Sequence, residues 1–84
     1  MGELIRSSGI TRRINEARAV EAWDEIVNQP LRAVTERVWI HSGTMYVKIS
    51  SSTWRHELHL ERQAWCDRIN NHLGKKVISS IEFR

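Results

Sequence analysis

The sequence predicts an α+β domain ordered helix, strand, strand, helix, strand, and three features predict it. Two alternating runs, TERVWIH and TMYVKIS, flank the pair Ser42-Gly43, as in a two-residue antiparallel hairpin. Stretches with apolar residues at helical spacing precede and follow that hairpin. A last alternating run, VISSIEF, closes the chain as a third strand.

The first ten residues, MGELIRSSGI, mix Gly and Ser with little periodicity, so residues 1–10 are expected to be a flexible segment before a single domain over 11–84. From Thr11, a suitable N-cap, Ile14, Ala17, Val20, Ala22, Trp23, Ile26 and Val27 recur at three- and four-residue steps. Asn28 and Pro30 end this helix, because the residue before a proline resists helical angles.

Within the hairpin, Val38 and Ile40 point to one side and Arg37, Trp39 and His41 to the other. Met45, Val47 and Ile49 share a face, opposite Tyr46 and Lys48. The serines 50–52 then change the rhythm: their hydroxyls accept hydrogen bonds from the first N–H groups of a helix, so they can both end the strand and cap a second helix. Trp54, Leu58, Trp65, Ile69 and Leu73 form the next apolar stripe, interrupted at Glu61. Gly74 suits a left-handed C-cap, and Lys75 and Lys76 suit the carbonyl end beyond it. The result is one helix of about 22 residues, long enough to hold a kink or break. In the final run Val77, Ser79, Ile81 and Phe83 share one face, with Ile78, Ser80 and Glu82 opposite. The intervening helix makes this strand parallel to the second, beside one or other hairpin strand. A three-stranded sheet with helices packed on one face is the expected architecture.

Function classes narrow by composition. The chain has 84 residues, 40% of them hydrophobic and 27% charged, with a net charge of +3, as in a small and mildly basic folded domain. No apolar run is long enough to span a bilayer, and Glu3 and Arg6 interrupt any signal-peptide core, so no membrane association and a cytoplasmic location are expected. Cys66 is the single cysteine, which leaves no intrachain disulfide to form. His56, His59, Cys66 and His72 are strung along one helix and do not converge on one ion, so no metal site or cofactor is expected. No nucleophile-base spacing and no phosphate-cradling glycine loop suggests an enzyme.

Binding remains. With helices on one sheet face, the other presents Arg37, Trp39, Tyr46 and Lys48, and aromatic rings flanked by cations grip single-stranded nucleic acid by stacking and phosphate attraction. Arg55 and Arg62, with His59 between them, form a basic stripe on the long helix that Lys75 and Lys76 extend, a row able to track phosphates. Plain packing competes with the first reading, and a solvated helix face with the second. A rival from another class is a protein-interaction or self-association module using the Trp39/Tyr46 face, without nucleic acid.

Trp23 with the adjoining IVNQPL, Thr35, the stretch GTMYVKISSSTWRHEL, Arg62, INNHLG and VISSIEFR resemble the DciA-like family of small bacterial proteins, over about residues 10–84. The resemblance implies a KH-like domain, DNA affinity and association with the replicative helicase DnaB, helping to load or operate it at the fork. It implies no enzymatic activity. Single-stranded or forked DNA would be the ligand, DnaB a protein partner, and a homodimer a further form. Asn28 stands where the family is expected to favour glycine, and no G-x-x-G loop supports the RNA clamp of true KH domains. Without the C-terminal extension of longer members, the chain reads as a minimal, single-domain version. In the matching motifs Trp54 and Leu58 read as core, and the Asn70 amide as a tie between helix end and neighbouring backbone.

Overall fold

A computed structural model describes the backbone from Gly2 to Arg84 and the side chains from Ile10 onward. Its elements are α1 (Gly2–Ile26), α2 (Gln29–Val34), β1 (Thr35–His41), β2 (Thr44–Ile49), α3 (Ser52–Leu60), α4 (Arg62–Leu73) and β3 (Ser80–Phe83). The strands form one sheet in the order β1-β2-β3, antiparallel between β1 and β2 and parallel between β2 and β3. The expected α+β architecture is therefore present, and its third strand lies beside β2.

The hairpin turns as its residues demand. Ser42 and Gly43 have φ of 51° and 81°, the paired left-handed angles that match the twist of two antiparallel strands. Gly43 is also closely approached, since an added Cβ would lie 2.9 Å from the Ser79 hydroxyl.

One continuous core forms under the sheet. Met45, Val47 and Ile49 from β2 and Ile81 and Phe83 from β3 meet Ala19, Ala22, Trp23 and Val27 of α1, Leu31 of α2, Leu58 of α3, and Cys66 and Ile69 of α4. Trp23 is its largest member, 1% exposed, with the Trp65 ring at 5.0 Å and the Phe83 ring at 5.7 Å. Its indole N–H donates to Thr35 Oγ1, whose own hydroxyl donates to the Leu31 carbonyl oxygen.

Three local expectations need correction, and one helix was not expected. The first helix starts at Gly2 rather than Thr11, and its buried stripe is Ala19, Ala22, Trp23 and Val27. Ile14 and Ala17 lie on the opposite side of the helix, and Ile14 is 55% exposed. The helix not expected is α2: Asn28 Oδ1 accepts from Leu31 N–H at 3.0 Å and caps it, with Pro30 in the first turn, where its missing N–H costs nothing. The long helix is broken at Glu61 (φ −111°, ψ 23°) into α3 and α4. Ser51 caps α3, accepting from Trp54 N–H, and Gly74 (φ 78°) ends α4 in the left-handed conformation. Finally, β3 begins at Ser80, and the irregular stretch before it rotates Ile78 into the core.

Asn70 holds that irregular stretch. Its Oδ1 accepts from the N–H groups of Val77 (2.8 Å) and Ile78 (3.1 Å), while its Nδ2 donates to the Ile78 carbonyl (2.9 Å). The tie expected of this amide is present.

Candidate nucleic-acid interface

Among the described residues the helices contribute to the core on one side of the sheet, and none covers the other side. The register lays out that side in rows. Trp39 pairs with Tyr46 and Tyr46 with Glu82, giving one row. Arg37 pairs with Lys48. Arg84 N–H donates to the Val47 carbonyl and Ile49 N–H donates to the Arg84 carbonyl, both at 2.8 Å, and these bonds bracket Lys48 and set Arg84 beside it. The second row is thus Arg37, Lys48, Arg84. At the other end His41 pairs with Thr44 and Thr44 with Ser80, whose hydroxyls lie 3.0 Å apart.

The aromatic and cationic rows lean together. The Trp39 and Tyr46 rings stack with centroids 5.4 Å apart and an interplanar angle of 17°. The Arg37 guanidinium carbon sits 4.8 Å over the Trp39 ring, and that of Arg84 sits 4.6 Å over the Tyr46 ring. Ring quadrupoles attract both cations, so the four side chains support one another. Both aromatic residues are half-buried. Glu82 lies 3.4 Å from Arg84, and Glu36, in the β1 bulge, lies 3.8 Å from Lys48, so two carboxylates partly offset the three cations of the row.

The remaining candidates stand apart from this face. Arg55 is half-buried and donates to the Ile49 carbonyl at 3.1 Å, which puts its guanidinium at the same end of β2 as Lys48. Arg62 donates to the His59 carbonyl at 3.0 Å and so caps the end of α3. The break at Glu61 means that Arg55, His59 and Arg62 do not continue as one helical stripe. Lys75 and Lys76 are exposed beyond Gly74, lining a cleft with Asp67 and Asn70. Arg84 is the functional candidate that sequence reasoning missed. The alternation Ser80, Glu82 continues to it, but only the parallel register with β2 shows which side chains it joins.

Among the described residues, no group of three or more His, Cys, Asp or Glu side chains is placed to hold a metal ion. Cys66 is buried; burial pushes its thiol up, Asp67 adds to the rise, and Lys76 opposes it. Among the described residues no helix is long and apolar enough to cross a membrane.

Element order, mixed sheet and one-sided helices define a small α+β module that displays cations and stacked rings on one sheet face. Comparison of the sequence with family models gives the lineage. The chain belongs to the DciA family: the model described as "Dna[CI] antecedent, DciA" matches residues 1–83. This is the family of loaders of the DnaB helicase, which places the chain's role in DNA replication. No curated protein matches the chain.

Proposed function

We propose that the chain binds single-stranded or forked DNA on the open sheet face while acting with the DnaB helicase at the fork. The observation that carries this reading is the row Arg37, Lys48, Arg84 running beside the stacked pair Trp39 and Tyr46. Phosphates track the cationic row. Bases meet the neighbouring row, where guanidinium planes resting on aromatic rings offer stacking surfaces to any base without reading its identity. The family's loader role supports DnaB as the protein partner.

The test is fluorescence anisotropy with labelled single-stranded and forked DNA over a range of salt. Each phosphate contact on a single strand contributes about −0.7 to the slope of log K against log salt. Replacing Arg37, Lys48 and Arg84 together by Gln should flatten that slope by about two units, whereas Lys75→Gln with Lys76→Gln should leave it within about half a unit. An unchanged slope in the triple variant removes the sheet face as the DNA site. Absence of binding at low salt removes DNA altogether and leaves a face that docks protein, either a partner or a second copy. Capture of purified DnaB by the immobilised chain, with and without DNA, tests the helicase contact separately.

A further inference from the structure

A second surface lies at the sheet's edge, beyond the open face. Both backbone groups of Arg84 bond to β2. Strand alternation therefore turns the N–H and C=O groups of Ile81 and Phe83 away from β2, towards the free edge of β3. Neither residue's backbone has another hydrogen-bond partner among the described residues. This edge does not face open solvent directly. A groove of about 350 Å³ runs between Ser80–Phe83 and the α3–α4 elbow, walled by His59, Arg62, Gln63 and Cys66. Gln63 and Cys66 also line the neighbouring cleft that holds Asp67, Lys75 and Lys76.

The opposite edge of the sheet is different. β1 carries a bulge between Thr35 and Arg37, and Glu36 within it pairs with Lys48. Bulges and charges of this kind blunt an edge against further pairing. β3 has a regular register over all its residues.

We propose that the β3 edge accepts an extended polypeptide as a fourth strand, seated in this groove, and that its preferred ligand carries acidic residues on each side of a short β-forming stretch. Hydrogen-bond chemistry argues for peptide. The edge offers donors and acceptors in alternation, and a peptide backbone answers both. A phosphate backbone supplies acceptors to the N–H groups but brings further negative charge against the carbonyl oxygens of Ile81 and Phe83. Charge argues for acidic flanks. Arg62 stands at the elbow end with Glu82, and Lys75 and Lys76 stand at the other with Asp67, so three cations face two carboxylates. The proposal concerns a surface separate from the sheet face and does not depend on DNA binding there.

The test monitors backbone amides of the full-length chain by nitrogen-15 NMR. The probe is a pool of nonapeptides with two glutamates at each end and a core randomised among Val, Ile, Thr and Tyr. Saturable shifts at Ile81 and Phe83, with slowed hydrogen exchange at both amides, are expected. Swapping the flanking glutamates for lysines should weaken the effect about tenfold, and Lys76→Glu, remote from the α3 cap, should reverse that preference. No saturable shift at millimolar peptide overturns the proposal. So does the same pair of amides responding to an oligothymidine and not to peptide, which would assign the groove to nucleic acid. Shifts that depend on protein concentration without added peptide would overturn it in favour of self-pairing of β3.

Discussion

Removing the Asn70 amide tests how a single side chain sets the start of β3. Asn70→Ala deletes three hydrogen bonds to the backbone of Val77 and Ile78, at 2.8, 2.9 and 3.1 Å, and a weak one to the Cys66 sulfur at 3.8 Å. Each such bond contributes about 1 kcal/mol net, and more when a group left behind cannot reach water. Ile78, which carries two of the three, is 0% exposed, and without the amide its carbonyl keeps only the weak Cys66 thiol donor at 3.8 Å. The gross loss is about 3–4 kcal/mol. Alanine is the better helix former by about 0.5–0.7 kcal/mol, which brings the net cost to roughly 2.5–3.5 kcal/mol. A domain of this size has about 4–12 kcal/mol in total, and each kcal/mol moves its melting temperature by about 4–8 °C. Circular-dichroism melts should therefore show Tm falling by about 10–25 °C. Urea midpoints should fall in parallel with an unchanged slope. Asn71→Ala, at an exposed site one residue on, should change stability by no more than about 0.5 kcal/mol. If Asn70→Ala melts within about 5 °C of the parent, the amide is not what holds residues 77–79, and the reasoning fails.

Other perturbations separate backbone, ring and thiol effects. Gly74→Ala meets no neighbouring atom and should cost only the left-handed penalty of about 1–2 kcal/mol, while Gly43→Ala adds a 2.9 Å approach to the Ser79 hydroxyl and should cost more by urea titration; the reverse order would contradict the turn geometry. Trp39→Ala breaks contacts to both Tyr46 and Arg37, so it should lower stability by about 1–2.5 kcal/mol as well as lowering single-strand affinity by about 1–3 kcal/mol. Trp39→Phe should retain most of both, and lost stability with full affinity in Trp39→Ala would mark the ring as packing alone. The raised Cys66 thiol binds its proton more tightly folded than unfolded, so the stability it confers is complete below the ordinary thiol value of about 8.5 and is lost as pH rises through the folded value. Urea midpoints of the parent should consequently decline relative to Cys66→Ala as pH rises above about 8.5, and a constant difference would refute the shift.

How legible each element is in the sequence depends on the strength of its local signal. The hairpin is specified twice, by a two-residue rhythm on both strands and by a turn pair able to adopt positive φ, and the two agree. The helical regions announce themselves by apolar spacing, but that spacing leaves their ends and breaks open. Signals that serve two purposes misled: Pro30 stops a helix when read after Asn28, yet it also fits the first turn of α2, and six residues are too few to show periodicity. Alanine is ambivalent in the same way. Ala19 lies at the centre of the buried stripe of α1 with 0% exposure, while the larger Ile14, which looks more like core, faces out. At Glu61 the interrupted stripe allows a break without requiring one.

The site shows why its composition was easier to read than its geometry. Arg37, Trp39, Tyr46 and Lys48 share a face because strands alternate, and alternation is local. Arg84 joins them through a parallel pairing across a long connection, which nothing local specifies. That pairing also changes the chemistry of the face. A lone Trp39 and Tyr46 would present ring faces to solvent, whereas Arg37 and Arg84 fold over them and leave a cationic surface resting on an aromatic base. Affinity for a strand of DNA should then depend on the guanidinium groups twice, as charges and as stacking planes. Arginine-to-lysine exchange at Arg37 and Arg84 separates the two roles, since lysine keeps the charge and lacks the plane. The salt slope should survive that exchange while affinity at fixed salt falls; equal affinity would mean that charge alone accounts for binding.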